Sequence, residues 1–180
     1  PGNEFIIGSG PDALLCRYKS GRRKLDPRDQ ITLEFAGTWR HYHAAIMRTA
    51  IIGEPRQLHI AYHTAARDAL LACEAELRPG RTAGDVFAAH ARVLDEAGLG
   101  QHRLNACGYS LGTTFTPSWM DWPMFYEGNE WELVPGMVMF LHMILMDSAS
   151  ETAMCLGRTS LIGETMSAPL NLPSLDLALR

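Results

Sequence analysis

The hydrophobic and polar positions of the first 52 residues predict β-structure. Short apolar stretches, separated by the turn segments GSGPD and KLDPRD, are typical of strands in this region. The predicted strands cover residues 4–7, 12–18, 30–36 and 41–52. We therefore expect four strands before the first helix.

Two helices follow. The segment RQLHIAYHTAARDALLACEAEL, residues 56–77, has apolar residues at helical spacing, and RPGR ends it. A second helix begins at Thr82, where an acidic residue three positions later, Asp85, makes a variant of the capping box. This helix ends near EAGLG, because glycine favours the backbone conformation that closes a helix.

Strands return in the last third of the chain. The apolar segments GMVMFLHMILM, residues 136–146, and ETAMCLGRTSLI, residues 151–162, predict two buried strands. Residues 113–135 form a long loop, and residues 171–180 a tail that either packs on the domain or extends from it. The order of strands, two helices and strands indicates a single α+β domain over residues 1–170.

The charge and composition exclude some partners. A chain of 180 residues with 47% hydrophobic content can bury one sizeable core. A net charge of -4 argues against a nucleic-acid partner, because phosphate binding needs clustered Lys and Arg. The dense basic run RYKSGRRK is interpreted as a solvated hairpin tip.

The sequence shows no pattern typical of a membrane segment or a signal peptide. The 11-residue apolar run at 136–146 is too short to span a bilayer, so we expect no membrane segment. The first ten residues do not resemble a signal peptide. The four cysteines form no C-x-x-C pair, so they suggest neither disulfides nor a zinc clip, and a reducing cytoplasm is the simplest location.

Candidate chemistry begins with the segment RHYHAAIMRT, residues 40–49. If this segment is a strand, alternation places His41, His43 and Ala45 on one face. An ionisable residue would suit the position of Ala45, where the chain has only a methyl group.

Five segments then resemble a known family, the creatinase and methionine aminopeptidase superfamily with its pita-bread fold. They are LEFAGTWRHYHAAIMRT, LRPGRTAGDVFAA, GYSLG, LVPGMVMFLHM and SETAMCLGRTSLI, and they occur in the family's order. The resemblance runs from about Phe5 to about Leu161 and implies two similar halves, each with helices and antiparallel strands, around a central site. It also implies that the helices opening the first half are missing before Pro1.

Metallopeptidases of this superfamily hold two metal ions with two Asp, one His and two Glu. The resemblance puts these ligands at Glu34, Ala45, Tyr109, His142 and Glu151. Three of the five ligand types are replaced, and Ala and Tyr cannot bridge a pair of divalent ions. We therefore expect no metal and no other cofactor. A new zinc site built from His41, His43 and His142 is the alternative.

Some members of the superfamily hydrolyse C–N bonds without a metal, and several segments resemble the ectoine hydrolase type. In such a reaction Glu34, a carboxylate on a half-buried strand, would have a raised pKa and act as nucleophile or general base, and Glu151 would stabilise positive charge on the substrate. His43 and His142 move the proton to the leaving nitrogen, while Tyr109 holds or protonates the substrate. Each of the five also has a purely structural interpretation.

The segment TPSWMDWP is the expected substrate-binding loop. Trp119, Asp121 and Trp122, together with His41, would hold a small cation through ring faces and one carboxylate. The leading hypothesis is thus a metal-independent hydrolase of a small nitrogenous solute. The alternatives are a catalytically silent relative that binds a partner, and a metallopeptidase similar to Xaa-Pro dipeptidases.

We predict a homodimer, because pita-bread proteins of this type are usually dimeric and missing helices would leave apolar strand surface uncovered. Light scattering of the purified protein at micromolar concentration should give twice the mass of one chain. A monomer mass that persists at the highest soluble concentration would contradict the prediction.

Overall fold

The computed structural model describes residues 5–19 and 21–180. The chain forms a curled sheet, antiparallel except where the last short strand pairs in parallel, with two α-helices on one face. The strands are β1 (Ile6–Ser9), β2 (Gln30–Trp39), β3 (Tyr42–Ile51), β4 (Gly108–Ser110), β5 (Asp121–Met124), β6 (Val138–Asp147), β7 (Thr152–Ile162), β8 (Ser167–Pro169) and β9 (Ala178–Leu179). The helices are α1 (Gln57–Glu76) and α2 (Ala83–Glu96), with 3-10 turns at Gly10–Leu14 and Gly100–His102. The expected α+β class is confirmed.

The strand order is β1-β2-β3-β7-β6-β4-β5, with β8 beside β7 and β9 beside β3. The two long hairpins, β2–β3 and β6–β7, meet where β3 pairs with β7. Residues that are far apart in sequence therefore become neighbours at the centre of the sheet.

The β2–β3 hairpin turns through two residues, Arg40 and His41, whose φ angles are 48° and 67°. Positive φ at both central residues is what a type I′ hairpin turn requires, and it leaves Trp39 paired with Tyr42. His41 is therefore a turn residue, and the expectation that it shares a strand face with His43 was wrong. Alternation applies only from Tyr42 onward.

The two helices agree with the sequence pattern. The Thr82 hydroxyl accepts a hydrogen bond from the Asp85 amide at 3.1 Å, and the Asp85 carboxylate accepts one from the Thr82 amide at 2.9 Å. The capping box is therefore complete. Glu74 of α1 forms an ion pair with Arg158 of β7, with 2.6 Å between Oε1 and Nε, and this pair fastens the helix to the sheet.

Each face of the sheet carries its own hydrophobic cluster. The helices pack on a face that includes Leu141, Met143 and Leu156. We call the opposite face the helix-free face. Its buried apolar residues are Ala36, Ala45, Met47, Tyr109, Leu111, Trp119, Phe140, Ile144 and Cys155. Successive side chains of a strand point to opposite faces of the sheet, so residues of one strand are divided between the two clusters.

Two other expectations need adjustment. The stretch 12–18 was expected to be a strand, but the chain forms a 3-10 turn at Gly10–Leu14, where Pro11 sets a turn-compatible φ. Glu4, in the first expected strand, lies outside the described residues. The last residues pack on the domain, since β9 pairs with the end of β3. The division of the chain at residue 170 stays a prediction.

No helix in the described part of the chain is long and apolar enough to cross a membrane.

Candidate functional site

One row of positions crosses four strands on the helix-free face. Glu34 of β2 lies opposite Met47 of β3. Met47 lies opposite Gly157 of β7, which in turn lies opposite His142 of β6. Directly opposed residues of antiparallel strands point to the same face, so Glu34 and His142 belong to one surface although 108 positions separate them in the sequence.

A hydrogen-bonded chain joins this row to the loop that precedes β5. Trp119 donates from Nε1 to the Tyr109 hydroxyl at 2.9 Å, and Tyr109 donates to Glu34 Oε1 at 3.4 Å. The second bond is long and therefore weak. The ring of Tyr109 also lies 5.6 Å from that of His142, measured between centroids. Glu34, Tyr109, His142 and Trp119 thus form one buried cluster, which we call the Glu34 cluster.

Burial dominates the protonation of this cluster. It raises the pKa of Glu34 to about 7, against the smaller opposing effects of the Arg17 charge and the Tyr109 hydrogen bond. Burial also raises the pKa of the Tyr109 hydroxyl, which stays protonated. It lowers the pKa of His142 to about 4, so this imidazole is neutral near pH 7. Only Glu34 changes charge near neutral pH.

The Glu34 carboxyl has little free space. It faces a cavity of about 10 Å³ that is also lined by Cys16, Met47 and Cys155. This is about the space that one water molecule needs. A substrate could reach Glu34 only if the surrounding side chains moved.

The residues present do not fit a two-metal centre. Of the five positions implied by the resemblance, four hold Glu34, Ala45, Tyr109 and His142, with one carboxylate among them, and the fifth, Glu151, lies in the β6–β7 turn. Within residues 5–19 and 21–180, no group of three or more His, Cys, Asp or Glu side chains is arranged to hold a metal ion. A pair of divalent ions needs several bridging carboxylates, so we derive no metal-dependent step.

The structure does not bring Glu151 to this cluster. Glu151 lies in the β6–β7 turn, six residues from the Gly157 row, which is roughly 20 Å along a strand. The β7 position that faces the cluster is Gly157, which has no side chain. A Cβ atom there would lie 2.6 Å from the backbone oxygen of Leu141, so even alanine would require the strands to shift.

The proposed zinc alternative fails for a similar reason. His43 lies four residues along β3 from Met47, which is roughly 13 Å from the Glu34 row. Its Nδ1 is 3.1 Å from the Thr114 hydroxyl. His41 is in the hairpin turn, with its ring 4.4 Å from that of Phe115. The three histidines therefore do not converge.

A second, larger space lies at the tip of the β2–β3 hairpin. It has a volume of about 660 Å³ and is bounded by that hairpin, β4, β5 and the start of β6. We call it the aromatic cleft, because Trp39, Tyr42, Trp122 and Trp131 line it. His43 also lines it and contributes one of its few polar groups. This size and lining are typical of small-molecule sites.

The remaining predicted binding residues are divided between these places. Trp122 lines the aromatic cleft, whereas Trp119 is fully buried in the Glu34 cluster. Asp121 is exposed, and its carboxylate accepts a hydrogen bond from the Trp122 amide. Sequence reasoning missed Trp39, Tyr42 and Trp131. The sequence signal for these residues was their aromatic type: Trp39 and Tyr42 flank the hairpin turn, and Trp131 lies in the long loop before β6.

The chain is similar to several known proteins. The model of metallopeptidase family M24 matches residues 1–164. A probable dipeptidase PepE of Mycobacterium tuberculosis is 33% identical over 133 residues, which are 73% of this chain and 34% of that protein. The ectoine hydrolase of Halomonas elongata is 28% identical over 105 residues, 58% of this chain and 26% of that protein.

Solved structures show the same fold. The crystal structure of dipeptidase PepE from Mycobacterium ulcerans superimposes with a TM-score of 0.91 at 26% identity, over 98% of this chain and 46% of that one. The chain thus spans between about a quarter and a half of the length of these relatives. The expected pita-bread architecture is confirmed, and the chain belongs to metallopeptidase family M24, within the creatinase and aminopeptidase superfamily.

Proposed function

We propose that this chain binds a small nitrogenous solute in the aromatic cleft and has lost the two-metal peptidase reaction. One observation carries the proposal: the positions that face the expected metal centre hold Glu34, Ala45, Tyr109, His142 and Gly157, and the cavity that Glu34 lines there measures about 10 Å³. This donor set does not suit a pair of divalent ions. A much larger space, about 660 Å³, is open at the aromatic cleft.

The lining of the aromatic cleft indicates what it binds. Ring faces of Trp and Tyr attract cations, and Trp is the strongest of the aromatic residues in this respect. His43 and Ser110 offer a few polar contacts, while Met137 and Leu170 contribute apolar surface. A small solute with a cationic or amidine nitrogen on an apolar body matches these walls.

A second candidate function is metal-independent hydrolysis of a C–N bond. Its supporting observation is Glu34, whose pKa of about 7 suits a general base at neutral pH and whose carboxyl accepts from Tyr109. In this reaction Glu34 would take a proton from water, and Tyr109 would donate one to the leaving nitrogen. The bond between Trp119 and Tyr109 would have to open first, to admit the substrate.

The proposal includes a cellular setting. All four cysteines are free thiols, which is typical of a reducing compartment such as the cytoplasm. The proposed state is a homodimer. Phe5, Phe35 and Trp39, exposed by 56%, 41% and 76%, provide apolar surface for association.

Three of the four tryptophans line the aromatic cleft, so a change in intrinsic tryptophan fluorescence on titration tests binding there. Cyclic amidines, guanidino acids and Xaa-Pro dipeptides should be titrated against the full-length chain. For whichever compound binds, Trp131→Ala should weaken affinity at least tenfold, because stacked ring surface is lost. Phe5→Ala is the matched control and should bind normally. Equal affinities of Trp131→Ala and wild type would contradict the proposal.

Turnover tests the second candidate. The same compounds should be assayed with and without a chelator. If hydrolysis occurs, Glu34→Gln should reduce kcat by at least about 100-fold, because Gln keeps the volume but removes the base. The chelator should have no effect. Activity that depends on added metal would refute the metal-independent hypothesis, and unchanged kcat in Glu34→Gln would remove Glu34 from catalysis.

The protonation of Glu34 also predicts a pH-dependent stability. The folded carboxyl, with a pKa of about 7, binds more protons than the unfolded one, with 4.5. Between these values stability therefore falls as the pH rises. From pH 4.5 to pH 7, the free energy of unfolding of wild type should fall by about 3 kcal/mol relative to that of Glu34→Gln.

Urea unfolding of both proteins at pH 4.5 and pH 8 measures this difference. Glu164→Gln changes an exposed carboxylate in the turn after β7. Its free energy of unfolding should therefore depend on pH in the same way as that of wild type. Parallel curves for Glu34→Gln as well would show that Glu34 is solvated and already charged.

A further inference from the structure

A polar cleft lies at the other end of the molecule, away from the Glu34 cluster and the aromatic cleft. Its volume is about 260 Å³. It is bounded by the 3-10 turn at Gly10–Leu14, the residues before β2, the first turn of α1 and the β6–β7 turn. Its polar lining residues are Arg28, Asp29, Gln30, Arg56, His59 and Glu151.

Gln30 is already saturated with protein partners. Its Nε2 donates to the backbone oxygens of Gly10 at 3.2 Å and Glu151 at 2.9 Å. Its Oε1 accepts from the Ala153 amide at 2.9 Å. This buried amide joins three elements and fixes the floor of the cleft.

Two of the charged residues are also satisfied within the protein. Asp29 accepts from Arg23, with 2.9 Å between Oδ1 and the guanidinium. Arg56 donates to the Ser150 oxygen at 2.9 Å and to the Thr152 hydroxyl at 2.9 Å. His59 is neutral near pH 7, because burial and the neighbouring Arg56 lower its pKa to about 4.

Two opposite charges remain. Arg28 and Glu151 are exposed residues that both line the cleft, and neither side chain makes a hydrogen bond or ion pair with any part of the chain that the structure describes. They do not pair with each other, so their charged groups are more than 4 Å apart. The lining of the cleft therefore includes one cationic and one anionic residue whose side chains have no partner in the described part of the chain.

The backbone of Glu151 is held in an unusual conformation. Its φ is 53°, in the left-handed region that favours glycine or asparagine. Its backbone oxygen accepts from both Gln30 and Arg56, at 2.9 Å and 3.2 Å. The chain thus keeps a carboxylate at a strained and firmly held position, a pattern that is enriched at functional sites.

We propose that this polar cleft binds a single α-amino acid as its zwitterion. The ligand carboxylate pairs with the Arg28 guanidinium, and its ammonium group pairs with the Glu151 carboxylate. The volume lies below the roughly 300–1,000 Å³ of drug-sized pockets, so it suits a ligand of this size. The site is independent of the Glu34 cluster and of the aromatic cleft.

The test compares four probes by calorimetric titration of the full-length chain: L-alanine, N-acetyl-L-alanine, L-alaninamide and L-alanyl-L-alanine. L-Alanine should bind. The acetylated probe lacks the ammonium group and the amide lacks the carboxylate, so each should bind at least tenfold more weakly. Equal binding of either probe, or no detectable binding of L-alanine at millimolar concentration, would overturn the proposal. Tighter binding of the dipeptide would overturn the assignment to a single amino acid.

Variants locate the site. Glu151→Gln and Arg28→Gln should each weaken L-alanine binding at least tenfold while leaving the melting temperature unchanged, because both side chains are exposed and unpaired. Glu164→Gln and Arg22→Gln remove exposed charges outside the cleft and should bind as wild type does. Wild-type affinity in either cleft variant, measured on folded protein, would refute the assignment.

Discussion

The register in which β3 pairs with β7 is the constraint on which the rest of the structure depends. It aligns Met47 with Gly157, and through the two long hairpins it brings Glu34 and His142 onto one face. A slip of one residue would turn these side chains to the helix side and disrupt both hydrophobic clusters. The register is therefore fixed by apolar burial, and the arrangement of the polar groups follows from it.

Within that row, the removal of the Glu34 carboxyl from water changes its pKa more than any attractive interaction does. Glu34 accepts one long hydrogen bond from Tyr109 and interacts electrostatically with the Arg17 charge. Neither interaction offsets the cost of removing the carboxyl from water. A carboxyl in this situation is neutral over much of the pH range below 7. It then behaves as a core polar group that Tyr109 and Trp119 connect to the loop, and it lacks the fixed charge that binds a divalent ion.

The residues that do not suit a pair of metal ions and the aromatic cleft lie at different places in the fold. Tyr109, Phe140 and Trp119 are all buried in the hydrophobic cluster on the helix-free face. The aromatic cleft lies beyond the strand pairing, where β3 leaves β7 and β8 takes its place beside β7. The ligand site that we propose in the aromatic cleft therefore depends on different residues from those of the Glu34 cluster.

The sequence alone determined the helices, the capping box at Thr82, the strands of both long hairpins and the residue types at Glu34, Ala45, Tyr109 and His142, because each is a local pattern or a residue identity. Tertiary structure decided which side chains meet. The Arg40–His41 turn has none of the Asn or Gly residues that usually announce positive φ, so His41 was placed on a strand. Gly157, and not Glu151, faces His142 because pairing between strands depends on the register of the whole sheet, which burial sets and local sequence does not encode.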